Sequence, residues 1–85
     1  MIKTNNIINE EITVGSSAIV TAAYSHTAKE LTVMFISGVR YIYKDVEYAD
    51  FVGLKYASSC GKYFNRVIKD TYDYEIIKED IQEFA

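Results

Sequence analysis

The sequence predicts an α+β fold in which a three-stranded antiparallel β-meander precedes two or three short helices packed on the sheet. Residues 18–46 are rich in β-branched and aromatic residues and contain turn signals between apolar runs. After Val46 the apolar residues change to the spacing of a helix. A chain of 85 residues is long enough for one small domain, so we expect a single domain over residues 1–85.

Three strands are predicted over residues 18–25, 30–36 and 39–46. The polar stretch "SHTAKE" connects the first two, and Ser37-Gly38 forms a tight turn because glycine tolerates a positive φ. Residues 1–14 contain "NNIINEEITV", which can form a short edge strand.

The register of the second hairpin stays open. A two-residue turn pairs Met34 with Tyr41 and places Tyr41 and Tyr43 on the face of Met34. A three-residue turn pairs Phe35 with Tyr41 and moves both tyrosines to the face of Leu31. In either register both faces of strand 30–36 are apolar. We therefore expect terminal segments or a second copy of the chain to cover one face, and we predict a homo-oligomer.

The first helix is predicted over residues 47–57, where Tyr48, Phe51, Val52 and Lys55 follow an amphipathic spacing. Gly53 lowers the stability of such a helix by up to about 1 kcal/mol relative to alanine, which weakens the prediction. Ser58 and Ser59 can cap a second helix over residues 61–69. The spacing of Ile77, Ile81 and Phe84 predicts a third helix over residues 73–84.

The net charge of −3 is unevenly distributed. Residues 55–69 carry lysines and an arginine without any acid, whereas residues 70–85 are strongly acidic. On a regular helix Lys62, Arg66 and Lys69 share one face, opposite Phe64 and Ile68. Such a stripe is either an ordinary solvated face or a phosphate-binding surface beside Tyr63.

An enzyme is the class that the sequence supports least, and no cofactor is indicated. Cys60 is the only cysteine and His26 the only histidine, and the predicted elements separate them. Neither zinc-ligand spacing nor a glycine-rich phosphate loop is present. No segment has the length of apolar sequence that crosses a membrane, and one cysteine cannot form an internal disulfide, so we expect a location in the cytoplasm of the host cell.

The chain resembles the KTSC domain family, which is named for the C-terminus of certain lysyl-tRNA synthetases. The residues that carry the resemblance are Ser16-Ser17-x-Ile19, Tyr24, Leu31-x-Val33-x-Phe35-x-x-Gly38-x-x-Tyr41-x-Tyr43-x-x-Val46 and Ala57-Ser58-x-x-Gly61-x-Tyr63-Phe64-Asn65-x-x-Ile68-Lys69-x-x-Tyr72. They span about residues 16–72, which leaves an N-terminal extension over 1–15 and an acidic, helical C-terminal extension over 73–85. The resemblance implies a small domain without an established activity, for which RNA binding has been suggested from the synthetase context.

The leading functional prediction is a non-enzymatic domain that binds nucleic acid or a nucleotide-like ligand. The candidate ligand-binding residues are Arg40, Tyr43, Lys44, Lys62, Tyr63, Arg66 and Lys69. The alternative is a protein-interaction module or inhibitor, encoded by a phage or another mobile element, that acts on a host defence protein. Tyrosines favour such an interface.

Overall fold

The computed structural model describes residues 9–14 and 18–77 of the chain. The elements are β1 (Asn9–Thr13), β2 (Ile19–Ser25), β3 (Glu30–Phe35), β4 (Arg40–Tyr43), α1 (Tyr48–Tyr56), α2 (Cys60–Tyr63), a π-helical segment (Phe64–Ile68) and β5 (Tyr74–Ile77). The π-helical segment continues α2 without a break.

All five strands form one antiparallel sheet in the order β1-β2-β3-β4-β5. The α+β class and the meander β2–β4 are confirmed, but the predicted sheet of three strands is too small. β1 and β5 add one strand at each edge. β1 lies where the sequence allowed a short edge strand, and it pairs along its whole length with β2.

The predicted third helix is wrong over Tyr74–Ile77, which form β5. This strand pairs with β4, and the backbone N–H of Lys44 also donates to the carbonyl of Asp73 at 2.8 Å. Pairing satisfies backbone groups of β4 that a helix at this position would leave without sheet partners. Ile81 and Phe84, on which the helical spacing depended, lie outside the described residues.

The β3–β4 hairpin contains a three-residue turn, Ile36-Ser37-Gly38, closed by the N–H of Phe35 donating to the carbonyl of Val39 at 3.0 Å. Gly38 has φ of 95°, the left-handed conformation that a three-residue hairpin turn requires at its last position. Tyr41 pairs with Val33, two residues from the predicted partner Phe35. Both tyrosines of β4 consequently lie on the face of Leu31, as the three-residue alternative predicted.

The core lies between this face of the sheet and the helices. Its sheet side includes Leu31, Val33 and Tyr43, and its helical side is formed by Phe51, Leu54, Phe64 and Ile68. The described residues include no buried charged side chain. The buried hydroxyl of Tyr24 donates to the carbonyl oxygen of Val46 at 2.7 Å, which ties β2 to the segment before α1.

The opposite face of the sheet is only partly covered. Thr32, Met34 and Ile42 alternate with the core residues of β3 and β4 and are half-buried. The expected oligomer that would cover this face stays a prediction. Among the described helices, none is long and apolar enough to cross a membrane.

Candidate functional site

An open cleft of about 400 Å³ lies between the β3–β4 hairpin and the π-helical segment. Its lining residues are Phe35, Ser37, Val39, Tyr41, Tyr43, Phe64, Asn65 and Lys69. The hairpin supplies the first five and the helical segment with its C-cap supplies the other three. Residues that are well separated in the sequence therefore meet at one concave surface.

Aromatic rings form the floor and walls of this cleft. Tyr43 and Phe64 are only 2% and 4% exposed, and their ring centroids lie 5.5 Å apart in an edge-to-face arrangement. Phe35 contacts both Phe64 and Tyr41 edge to face, at 5.7 and 5.2 Å. Because each ring is held by at least one other ring, the cleft presents a pre-formed apolar surface.

The π-helical segment determines which side chains reach the cleft. The backbone N–H of Lys69 donates to the carbonyl of Phe64 at 2.9 Å, so this turn contains one residue more than an α-helical turn. A wider turn rotates the chain by a smaller angle per residue. Asn65 and Lys69 therefore lie at the cleft, while Arg66 lies at a different cavity.

The rim of the cleft carries hydrogen-bonding groups and one positive charge. The Oγ of Ser37 accepts from the N–H of Val39 at 3.4 Å, which leaves the hydroxyl hydrogen available to a ligand. Asn65 is exposed and offers both a donor and an acceptor. Lys69 is exposed and forms no salt bridge with any residue that the structure describes. The cleft thus combines an aromatic floor with a cation that has no salt-bridge partner among the described residues.

Tyr43 is a neutral group in this floor. Burial, followed by the neighbouring phenols of Tyr41 and Tyr74, raises the pKa of Tyr43 to about 12. The phenol keeps its proton throughout the physiological range, so the floor adds no negative charge opposite Lys69.

A second cavity, of about 320 Å³, is lined by Ala57, Ser58, Ser59, Lys62, Tyr63 and Arg66. It contains two of the three cations that the sequence placed in a single stripe. The three cations are not gathered at a single cavity: Lys62 and Arg66 line the second cavity, and Lys69 lines the aromatic cleft. The prediction assumed a regular α-helix, and the wide turn at Phe64–Ile68 separates the charges.

The structure does not bring Arg40 and Lys44 to either cavity. Arg40 precedes Tyr41 in β4 and Lys44 follows Tyr43 directly after the strand, so both lie on the face of the sheet opposite these tyrosines. The Nζ of Lys44 is 3.7 Å from Glu30 Oε2 and 3.5 Å from Glu75 Oε2. This lysine has acidic partners, whereas Lys69 has none among the residues that the structure describes.

Sequence reasoning missed much of the cleft lining: Phe35, Ser37, Val39, Tyr41, Phe64 and Asn65 were not among the candidate ligand-binding residues. Phe64 was interpreted as core, which is correct for most of its surface. The available signal was the aromatic series in the family motif, which contains both Tyr41 and Phe64. The register of the hairpin, which the sequence left open, decides that Tyr41 faces the helices.

A separate polar cluster joins β1, the β2–β3 turn and α1. Glu10 Oε2 accepts from His26 Nε2 at 2.9 Å and from the Tyr48 hydroxyl at 2.8 Å, and Lys55 Nζ lies 3.7 Å from Oε1. The hydrogen bonds from His26 and Tyr48 lower the pKa of Glu10, and the charge of Lys55 acts in the same direction. His26 is thus engaged by a carboxylate on the β1 side of the fold.

Cys60 has a local structural contact. Its thiol donates to the carbonyl of Leu54 at 3.2 Å and is partly buried against the core. Within residues 9–14 and 18–77, no three of the histidine, cysteine, aspartate and glutamate side chains come together as a metal site would require.

The structure of the chain is similar to the crystal structure of a KTSC domain protein from Yersinia pestis. The two chains are 27% identical, the match covers 82% of this chain and 99% of the other, and the TM-score is 0.75. No curated protein matches the chain. The family model of the KTSC domain matches residues 15–72, which include both the hairpin and the helical side of the cleft. The chain belongs to the KTSC domain family.

Proposed function

We propose that the protein is a non-enzymatic binding domain whose aromatic cleft holds a nucleotide-like ligand. The observation that carries this proposal is that four aromatic side chains line one cleft with Lys69, which has no salt-bridge partner in the described ranges of the chain. A base would lie against the exposed part of Tyr41 and Phe35, and its phosphate would lie near Lys69. Asn65 and Ser37 would bind polar atoms at the rim.

The dimensions and chemistry of the cleft suit such a ligand. A volume of about 400 Å³ lies within the range of small-molecule sites, and such sites combine apolar walls with a few polar groups. Stacking a base on an aromatic side chain contributes about 1–3 kcal/mol per base. A lysine adds a point charge for phosphate without restricting which base is bound.

Calorimetric titration with adenosine and adenosine 5′-monophosphate tests this function. We expect the monophosphate to bind more tightly than the nucleoside, and we expect Lys69→Met to remove that difference. Tyr41→Leu should weaken both ligands, since it removes the ring and keeps an apolar side chain. Arg66→Met is the matched control, because it removes one charge from the neighbouring cavity and should leave mononucleotide binding unchanged.

Two results would contradict the proposal. One is the absence of binding by either ligand at millimolar concentration. The other is binding that Tyr41→Leu and Lys69→Met leave unaltered in folded protein.

A second candidate function is protein binding through β5. This strand lies at the edge of the described sheet, and Tyr74, Ile76 and Ile77 are 50%, 47% and 38% exposed. An edge strand offers backbone hydrogen bonds to another chain, which can be a second copy or a host protein. Light scattering tests the homo-oligomer directly. If the protein is a monomer at micromolar concentration and also captures no host protein, protein binding through β5 is excluded.

A further inference from the structure

The second cavity, lined by Lys62, Arg66 and two serines, has the composition of an anion site. Lys62 and Arg66 are both exposed, and neither forms a salt bridge within the described residues. Asp50, whose charge reaches the phenol of Tyr63, accepts a hydrogen bond from Tyr72 and does not pair with either cation. Both cations of the cavity are therefore without a salt-bridge partner in the part of the chain that the structure describes.

Two serine hydroxyls, of Ser58 and Ser59, also line this cavity. Ser59 Oγ accepts from the backbone N–H of Lys62 at 3.3 Å, so its remaining hydrogen can be donated into the cavity. Ser58 is exposed next to it. Two hydroxyl donors, one ammonium and one guanidinium can together surround a tetrahedral oxyanion such as phosphate.

The cavity and the aromatic cleft lie on two sides of the same helical segment. Consecutive residues mark the division, because Asn65 lines the cleft and Arg66 lines the cavity. A helix with its side chains is about 10–12 Å across. One phosphate cannot occupy both places, whereas a nucleic acid strand carries one phosphate per nucleotide and can reach both within a few nucleotides.

We propose that the Lys62–Arg66 cavity binds a second phosphate of the ligand held in the cleft, so that the ligand is a single-stranded oligonucleotide instead of a mononucleotide. This inference rests on the proposed function of the cleft. Tyr63 positions the cavity, since its ring packs against α1 at Gly53 and forms part of the lining.

The test compares adenosine 5′-monophosphate with 5′-phosphorylated oligoadenylates of two and four nucleotides, in ribose and deoxyribose forms, by calorimetry at several salt concentrations. We expect the tetranucleotide to bind about 2- to 30-fold more tightly than the mononucleotide, which is the combined range of two exposed ion pairs. In the Lys62→Met/Arg66→Met variant this gain should disappear, and the log–log salt slope should become shallower by about 0.7 for each lost contact.

Lys29→Met is the matched control. Lys29 is exposed in the β2–β3 turn, outside both cavities, so this variant removes a charge without changing either site. Equal affinity for all lengths, or a length-dependent gain that the double variant retains, would overturn the inference and leave the mononucleotide site intact. Failure of every nucleotide to bind would overturn the cleft function and the inference together. Tighter binding of the ribose oligonucleotides would identify RNA as the ligand. Equal binding of the two forms would identify single-stranded nucleic acid, whether RNA or DNA.

Discussion

The backbone N–H of Lys69 donates to the carbonyl oxygen of Phe64, five residues earlier, at 2.9 Å. This single wide turn places Lys69 at the aromatic cleft and leaves Arg66 at the second cavity. π-helical turns occur frequently at functional sites, and here the turn divides the cations between two cavities. We therefore expect Lys69 to contribute to the binding of a ligand in the cleft, and Arg66 to contribute only to a ligand that reaches the second cavity.

Gly53 and Tyr63 form a close helix contact whose disruption should destabilise the protein. A Cβ at position 53 would overlap the hydroxyl and the adjacent ring atoms of Tyr63. We expect Gly53→Ala to lower the free energy of unfolding by about 1–3 kcal/mol through overpacking, although alanine favours helices. Urea denaturation measures this change.

Two variants isolate the cause. In a Tyr63→Ala background the ring is gone, so Gly53→Ala should stabilise the protein by up to about 1 kcal/mol. Ala49→Gly, at an exposed position of the same helix, should cost about 1 kcal/mol through helix propensity alone. Stabilisation by Gly53→Ala in the wild-type background would show that Tyr63 does not occupy this space.

Tyr24 forms a buried hydrogen bond whose loss should be costly. Tyr24→Phe keeps the ring but removes the donor to the carbonyl of Val46, which leaves a buried acceptor unsatisfied. We expect a loss of about 1–3 kcal/mol, measured by thermal or urea unfolding. Tyr56→Phe is the control, because Tyr56 is 75% exposed and should tolerate the change. Equal stability of the two variants would contradict this role of Tyr24.

Glu10 should make the stability depend on acid pH. Hydrogen bonds from His26 and Tyr48 hold the folded-state pKa of Glu10 below its ordinary value of 4.5. Ionised Glu10 therefore stabilises the fold above about pH 4.5, and this contribution is lost as the pH falls through the lower, folded-state pKa. Glu10→Gln should flatten the decline in stability below pH 4.5, whereas Glu11→Gln, at an exposed position of the same strand, should retain it.

We expect Cys60 to contribute to the stability of the fold and to take no part in ligand binding. Its thiol contacts the carbonyl of Leu54, and His26 is held by Glu10. Cys60→Ala should leave ligand affinity unchanged and reduce stability modestly, since it removes a partly buried sulfur. Loss of binding in a folded Cys60→Ala protein would show that the thiol contributes to the site.

The central strands and the first helix could be predicted because their patterns are local. Residues in β2, β3 and β4 have high strand propensity, and the apolar spacing around Phe51 follows a helical period. β5 could not be predicted in this way. Its four residues are all exposed, so they carry no burial pattern, and their structure depends on pairing with β4.

The candidate site was predictable only in part. Five of the residues named from the sequence line cavities, namely Tyr43, Lys62, Tyr63, Arg66 and Lys69, and their role in ligand binding stays a prediction. Their division between two cavities depends on the π-helical turn, for which the sequence has no periodic signal. Lys44 lies outside both cavities because strand alternation turns it to the other face of the sheet, where it pairs with Glu30 and Glu75. A single sequence does not reveal this pairing.

A titration of ¹⁵N-labelled protein with adenosine 5′-monophosphate, followed by amide chemical shifts, tests whether the aromatic cleft binds a nucleotide. We expect saturable shifts concentrated at Val39, Tyr41, Asn65 and Lys69, which border the aromatic cleft. The same titration of the folded Lys69→Met protein should require a higher ligand concentration. Saturable shifts confined to other parts of the chain, or no shifts at all, would contradict the claim that this cleft is a nucleotide site.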